Sequence, residues 1–183
     1  NLDLFKQQLE QDNLSEQLLM QLRSETNYLE VQPVYNKKYK AYVPIMNGCN
    51  NFCKFCIVPY SRGREKSRPQ ASILDEISRL VAQGAREITL VGQNVNSYKN
   101  KLVPADARYQ VAFAHLLDSV TALPGDFRVS FPSPHPKDYH DEVIEIAASS
   151  PKMMSWMHVP LQAGNNDVLK SMRRPYTRDR YLE

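Results

Sequence analysis

Beyond position 38 the chain alternates short apolar runs with stretches whose apolar residues recur at helical spacing. The first run, 39–46 (Tyr-Lys-Ala-Tyr-Val-Pro-Ile-Met), predicts a buried strand entering a loop that spans 47–69. Ile73, Ile77, Leu80 and Val81 share one helical face. Ser72 with Asp75 predicts a capping box at that helix's start, and Gly84 a cap at its end. Residues 87–91 predict a second buried strand, closed by Gly92-Gln93-Asn94. The stretch 98–110 has no periodicity and reads as an exposed insertion.

The rhythm then repeats. Phe113, Leu116, Leu117 and Val120 predict a second helix, stopped at Pro124-Gly125. A third strand is expected over 127–131, with an irregular exit through Pro132-Ser133-Pro134-His135-Pro136. Val143, Ile144 and Ala147 mark a third helix, ended at Pro151. A fourth strand is expected over 154–161, followed by Gln162-Ala163-Gly164 and a helix from Val168, Leu169 and Met172. A further helical start follows Thr177. Strand and helix in alternation predict an α/β fold with a parallel sheet, here about four βα units. A closed barrel of this type needs eight, so the pattern fits a small open sheet or a partial (β/α) barrel. Polar and Gly-rich loops at the strand ends place function at the C-terminal edge of the sheet.

Residues 1–30 differ in character. They are rich in Gln, Glu and Leu, with Leu14, Leu18, Leu19 and Leu22 at helical spacing. The division is therefore 1–38, a helical linker or N-terminal extension, and 39–183, the α/β core. An ordinary amphipathic helix and a docking helix both fit the first segment.

Composition narrows the class only moderately. Of 183 residues, 42% are hydrophobic and 23% charged, as in globular domains. No apolar run approaches the length of a membrane span, and the N-terminus lacks the pattern of a secretory leader. The net charge of +3 is too small to mark a nucleic-acid binder by itself. One local cluster is denser: Arg62, Arg64, Lys66 and Arg68, with Glu65 among them.

The cysteines change the picture most. There are three, Cys49, Cys53 and Cys56, in the spacing C-x₃-C-x₂-C. An odd number in one short window argues against a disulfide framework and for an intracellular or organelle-matrix compartment. Three thiolates on a tight loop can ligate three irons of a four-iron cluster, leaving the fourth iron open to a substrate. A structural zinc site wants four ligands, and the nearest histidine, His115, is far along the sequence. Three spectator cysteines are the remaining alternative.

The loop also resembles the signature of radical S-adenosylmethionine (SAM) enzymes, C-x₃-C-x-aromatic-C, with Phe55 as the aromatic residue. Further blocks resemble the tRNA methylthiotransferase group of that family. They are Val58-Pro59-Tyr60-Ser61-Arg62-Gly63-Arg64-Glu65, Ser67-Arg68-Pro69, Gly92-Gln93-Asn94-Val95-Asn96, Ser133-Pro134-His135-Pro136-Lys137-Asp138 and His158-Val159-Pro160-Leu161-Gln162. Met172-Arg173-Arg174 with Tyr176 also fits. The wording of 71–76 and of His135-Pro136-Lys137-Asp138 resembles the eukaryotic, mitochondrial branch, also described as an associate of a cyclin-dependent kinase regulatory subunit.

The resemblance implies a partial radical-SAM barrel over 39–183 and a concrete chemistry. Cys49, Cys53 and Cys56 would hold a [4Fe-4S] cluster, and SAM would chelate its open iron. An electron, delivered by a reductase or ferredoxin, would cleave SAM to a 5′-deoxyadenosyl radical. That radical would abstract hydrogen from carbon 2 of N6-isopentenyladenosine beside a tRNA anticodon, and a methylthio group would be installed there. Phe55 would pack near the adenine of SAM. Gly92, Gln93 and Asn94 would hold its methionine amino group, and Gln162 would bond a SAM hydroxyl. Arg62, Arg64 and Arg68 would meet tRNA phosphates, or fix the loop through Glu65. The resemblance leaves a mitochondrial matrix or cytoplasmic location equally open.

Complete members carry a first domain with a second cluster and a C-terminal β-barrel, and neither has a counterpart here. This chain is therefore expected to be an incomplete core, with the second cluster confined to the full-length protein. Pro175 and Ala163 also depart from the Gly and Ser frequent in the family. The rival expectation is a truncated interaction module that binds a kinase regulatory subunit without catalysis.

Overall fold

The computed structural model describes residues 39–100 and 103–183, together with Leu29. The helix expected within 1–30 and the boundary at 38/39 lie outside the described residues. All elements below belong to the unit Val34–Glu183.

Three strands form a parallel sheet in the order β1 (Lys40–Pro44), β4 (Glu87–Val91), β5 (Arg128–Ser130). Between the first two lie a short antiparallel pair, β2 (Met46–Asn47) and β3 (Lys66–Ser67), and a one-turn helix, α1 (Val58–Ser61). The crossovers are helical: α2 (Gln70–Ala82) links β3 to β4, and α3 (Ala112–Ala122) links β4 to β5. Then come α4 (Asp141–Ser149), α5 (Asn166–Ser171) and α6 (Arg178–Leu182). No helix among the described residues is long and apolar enough to cross a membrane.

The register explains the alternation within the strands. Ala41, Val43, Ile88, Leu90 and Val129 are almost wholly buried in the apolar core with Ile73, Ile77, Phe113, Leu116 and Leu117 from α2 and α3. Each large side chain so buried contributes about 1.5–3 kcal/mol. The opposite face is polar. Tyr42 lies beside Thr89, and Thr89 beside Ser130. The Thr89 and Ser130 hydroxyls meet at 3.1 Å, and Lys40 pairs with Glu87 at 3.2 Å. A parallel sheet sealed on both sides would be apolar on both. This one carries apolar side chains toward the helices and polar ones on the other face.

Four expectations need correction. The run 154–161 is not a strand. Met153 forms a single parallel bridge to Val129, and the Met154 N–H donates to the Val129 carbonyl at 2.9 Å. Beyond that point Trp156 and Met157 are exposed, and Pro160 has no N–H to give a ladder. Secondly, α2 begins at Gln70 behind Pro69, so Ser72 and Asp75 lie inside it and make no capping box. Asp75 instead accepts from Arg79, one turn on, at 3.2 Å. Thirdly, the insertion at 98–110 is anchored by two buried residues, Tyr98 and Tyr109. The Tyr98 hydroxyl donates to the Arg68 carbonyl at 2.8 Å, and burial raises its pKa to about 12. Lastly, the loop 47–69 is not wholly irregular, because β2, β3 and α1 lie within it. The end of α2 is as expected. Gly84, at φ +101°, lets the Ala85 N–H reach the Leu80 carbonyl at 2.9 Å and its own N–H reach Val81 at 3.0 Å.

Arg68 is a fold residue. Its guanidinium donates to the carbonyls of Pro44 and Ser72 and forms an ion pair with the buried carboxylate of Glu76 on α2. Removing one partner strands the other charge away from water. Arg68→Met is therefore expected to lower stability by about 3 kcal/mol at neutral pH, measured by urea unfolding. A loss under ~0.5 kcal/mol would mean that Glu76 finds solvent.

Candidate functional site

The parallel strands deliver their exits to one edge of the sheet. The loop after β1 carries the cysteines. It leaves through β2 and returns through β3, so the antiparallel pair closes its neck. Gly48 begins the excursion at φ +78°, where a Cβ would fall 2.2 Å from the Arg64 carbonyl oxygen. Only glycine fits that approach. The Cys49 N–H donates to the Gly63 carbonyl at 3.1 Å, across the base of the loop.

One carboxylate holds the loop together. The Glu65 side chain is almost fully buried and accepts from the backbone N–H of Asn50 (3.1 Å), the Asn50 amide (3.1 Å) and the Ser97 hydroxyl (2.9 Å). Lys99 lies 3.7 Å away. The loop is thus fixed through Glu65, with Asn50 and Ser97 supplying the bonds assigned from sequence to arginines.

Cys49 and Cys53 are buried, Cys56 is half-buried, and none is in a disulfide. The Cys49 sulfur accepts from the Asn51 N–H at 3.4 Å. Burial pushes its thiol pKa up from 9.0, and the neighbouring Cys53 and Cys56 add to the rise. Among the described residues no group of three or more His, Cys, Asp or Glu side chains stands in finished metal-ligand geometry. The donor set nevertheless suits an iron–sulfur cluster: three reduced thiols on one locked loop, with a cation beside one of them. That cation is Arg174. Its Nη1 donates to the Cys53 sulfur at 3.4 Å, and its Nε to the Tyr176 hydroxyl at 3.1 Å. Tyr176 in turn donates to the Leu161 carbonyl at 2.8 Å. The Lys54 N–H meets the Met172 carbonyl at 3.1 Å, docking the loop on the end of α5.

The loop after β4 touches this site directly. Gly92 allows close packing, since a Cβ there would lie 2.5 Å from Met46 Cγ. Gln93 Oε1 accepts from the Gly48 N–H at 2.6 Å, so it positions the first residue of the cysteine turn. Asn94 is buried and faces the next loop. Its amide donates to Asp138 at 2.8 Å and its oxygen accepts from the His135 N–H at 3.0 Å. Asn96 clasps both backbone groups of His135, at 3.0 and 2.9 Å.

The other residues expected at the site lie further out. Phe55 and Gln162 are both exposed, and Gln162 adopts a left-handed backbone at φ +71°. Arg62 and Arg64 are exposed on the loop, with the Arg64 guanidinium 4.7 Å from the centre of the Phe52 ring. Arg68 faces inward to Glu76, and an arginine so engaged is not available to RNA phosphate.

Sequence reasoning passed over Glu65 as a buried anchor, and gave Asn96, His135 and Arg174 no role beyond their place in the family-like blocks. A lone acid inside a basic run was the signal for Glu65. His135 carried only its place in the 133–138 block. It is 5% exposed, its Nδ1 accepts from the Lys137 N–H at 3.2 Å, and its Nε2 has no hydrogen-bond partner among the described residues. Burial first, then the Arg174 charge, lower its pKa from 6.5 to about 4.

Comparison with known proteins fits this geometry. The sequence profile of the Radical SAM superfamily matches residues 43–183. The chain belongs to that superfamily. As a radical-SAM protein it is 49% identical over 168 residues to the tRNA-2-methylthio-N(6)-dimethylallyladenosine synthase of Carboxydothermus hydrogenoformans, covering 91% of this chain and 37% of that protein. It is 44% identical over 161 residues to the synthase of the same name from Prosthecochloris aestuarii, covering 88% and 35%. The chain thus spans about a third of the length of the curated relatives it matches. In fold it is similar to a radical SAM methyltransferase, TsrM, from Kitasatospora setae. In a structure with tryptophan substrate and a SAM analogue bound, the TM-score is 0.61 at 19% identity, over 78% of this chain and 27% of that one. In the structure with cobalamin and a [4Fe-4S] cluster the TM-score is 0.60.

Two outcomes are expected in this radical-SAM core. Gly48→Ala forces the Arg64 carbonyl aside, so amide hydrogen exchange at Cys49 accelerates about tenfold or more, as for a lost bond of about 1.4 kcal/mol. Unchanged exchange would show that the turn absorbs a Cβ. His135 acts through pH. Its folded pKa lies below its unfolded value, so the unfolded chain takes the proton first. Stability is therefore lost as pH falls from 6.5 toward about 4. His135→Asn should flatten that slope in urea titrations at stepped pH, and an identical slope would remove His135 as its cause.

Proposed function

We propose that this chain is the SAM-cleaving core of a tRNA methylthiotransferase. The observation that carries the reading is the cysteine loop, whose three free thiols are locked by Gly48 and Glu65 beside the exit of β4. Cys49, Cys53 and Cys56 would hold a [4Fe-4S] cluster with one open iron. When bound, that cluster supplies the electron that cleaves SAM. Phe55 is assigned to the adenine of SAM and Gln162 to a hydroxyl. Gly92 and Gln93 are assigned to its methionine end, with Asn94 holding the loop that carries them. The polar row Tyr42, Thr89 and Ser130 gives the inner face of the sheet a lining that a polar substrate can share.

The substrate reading rests on relatives of known name, at 44–49% identity over about nine-tenths of this chain. The activity is the addition of a methylthio group to carbon 2 of N6-isopentenyladenosine in tRNA. Arg62 and Arg64, exposed on the loop, are assigned to tRNA phosphates. The electron comes from a donor of reductase or ferredoxin type. A second cluster belongs to the full-length protein. Reduced thiols suit an intracellular setting, the mitochondrial matrix or the cytoplasm. No observation favours the module that binds a kinase subunit, and all of its segment 1–30 but Leu29 lies outside the described residues.

Reconstitution with iron and sulfide under anaerobic conditions tests the reading. The wild-type protein should turn brown and Cys49→Ala should stay colourless. The full-length protein should then methylthiolate tRNA bearing N6-isopentenyladenosine in the presence of SAM, and its Cys49→Ala variant should not. A colourless wild-type protein holding one tight zinc would overturn it.

A further inference from the structure

Arg174 is a buried arginine that forms no ion pair with a carboxylate among the described residues, and its guanidinium donates to a cysteine sulfur. Such a charge is costly to bury unless something negative faces it. Its hydrogen-bond and ring partners among the described residues are one neutral side chain and the thiol. The Tyr176 hydroxyl accepts from Nε, and the Tyr176 ring centre lies 5.3 Å from the guanidinium carbon. His135, edge-on to the same tyrosine at 5.7 Å, is held neutral by its low pKa. The group best suited to balance Arg174 is therefore a Cys53 thiolate, which exists as such when it ligates a metal. Tyr176 fixes the direction of the guanidinium, since its hydroxyl is itself tied to the Leu161 carbonyl.

We infer that Arg174 is a positioning residue that sets the reduction potential of the iron–sulfur cluster through Cys53. This rests on the cluster reading above. Hydrogen bonds and positive charge directed at a ligating sulfur favour the more negative, reduced state of a cluster, and so raise its potential. The arrangement ties that potential to the segment after α5. Any movement there that shifts Tyr176 also shifts the donor on Cys53.

The test is a redox titration of the reconstituted 183-residue chain without SAM, using dithionite and mediators and followed by electron paramagnetic resonance. Iron and sulfide are counted in every sample. Arg174→Gln should keep its iron yet lower the midpoint potential by an amount equal to a tenfold change in equilibrium constant, about 59 mV for one electron. Arg174→Lys should lower it by less, because an ammonium keeps the charge but cannot serve Tyr176 and Cys53 together. Equal potentials in wild type and Arg174→Gln, at equal iron content, would overturn the inference. If Arg174→Gln loses its iron, Arg174→Lys decides: a lowered potential supports the role and an unchanged one ends it. Wild-type protein without iron would instead overturn the cluster reading.

Discussion

Parallel pairing between β1 and β4 is the constraint from which the site follows. Parallel neighbours cannot be joined by a tight hairpin, so each connection crosses back over a helix and each strand begins again at the same end. All exits then crowd one edge. In this chain the register sets Pro44 beside Val91, so the cysteine loop and the Gln93 loop leave side by side. The 2.6 Å bond between Gly48 and Gln93 is possible because of that alignment. The β5 exit lies one strand further on, and Asn94 and Asn96 reach across to it.

What the edge then requires is that its polar groups find partners among themselves. The loops at this edge are partly buried, and an unpaired buried donor or acceptor costs about 1–3 kcal/mol. Glu65 meets that demand within its own loop, through Asn50, and with Ser97, while Asn94 and Asn96 bond mainly to backbone groups or short side chains of another loop. The cysteine loop is held both by its own Glu65 and by its neighbours, and the His135 loop chiefly by its neighbour. The cysteine turn depends on Glu65 and Gln93, and the His135 loop depends on two asparagines from the β4 exit.

The strand–helix rhythm, the cysteine loop and the C-terminal edge were legible because each rests on local pattern. Periodicity marks β1, β4 and the helices directly, and Gly84 marks a helix end through its backbone alone. The failures share one cause, which is that tertiary partners are invisible in a single sequence. Ser72 and Asp75 have the spacing of a capping box, but Pro69 starts the helix earlier. The run 154–161 has strand-like apolarity, yet it bonds to β5 at one point only. Arg68 sits among arginines that face solvent, and its inward turn is decided by Glu76 on α2. Arg174 lies 121 residues from the cysteine it touches.

The polar inner row has a consequence for how the strands are indexed. A sheet apolar on both sides can slide by one residue with little change in what is buried. Here such a slide would press Tyr42, Thr89 and Ser130 into the helical layer and turn Val43, Ile88 and Val129 away from it. The hydroxyl row thus acts as a registration mark, keeping the strand tips level to within one residue, and a level rim is what lets neighbouring turns reach one another with side chains as short as asparagine and serine.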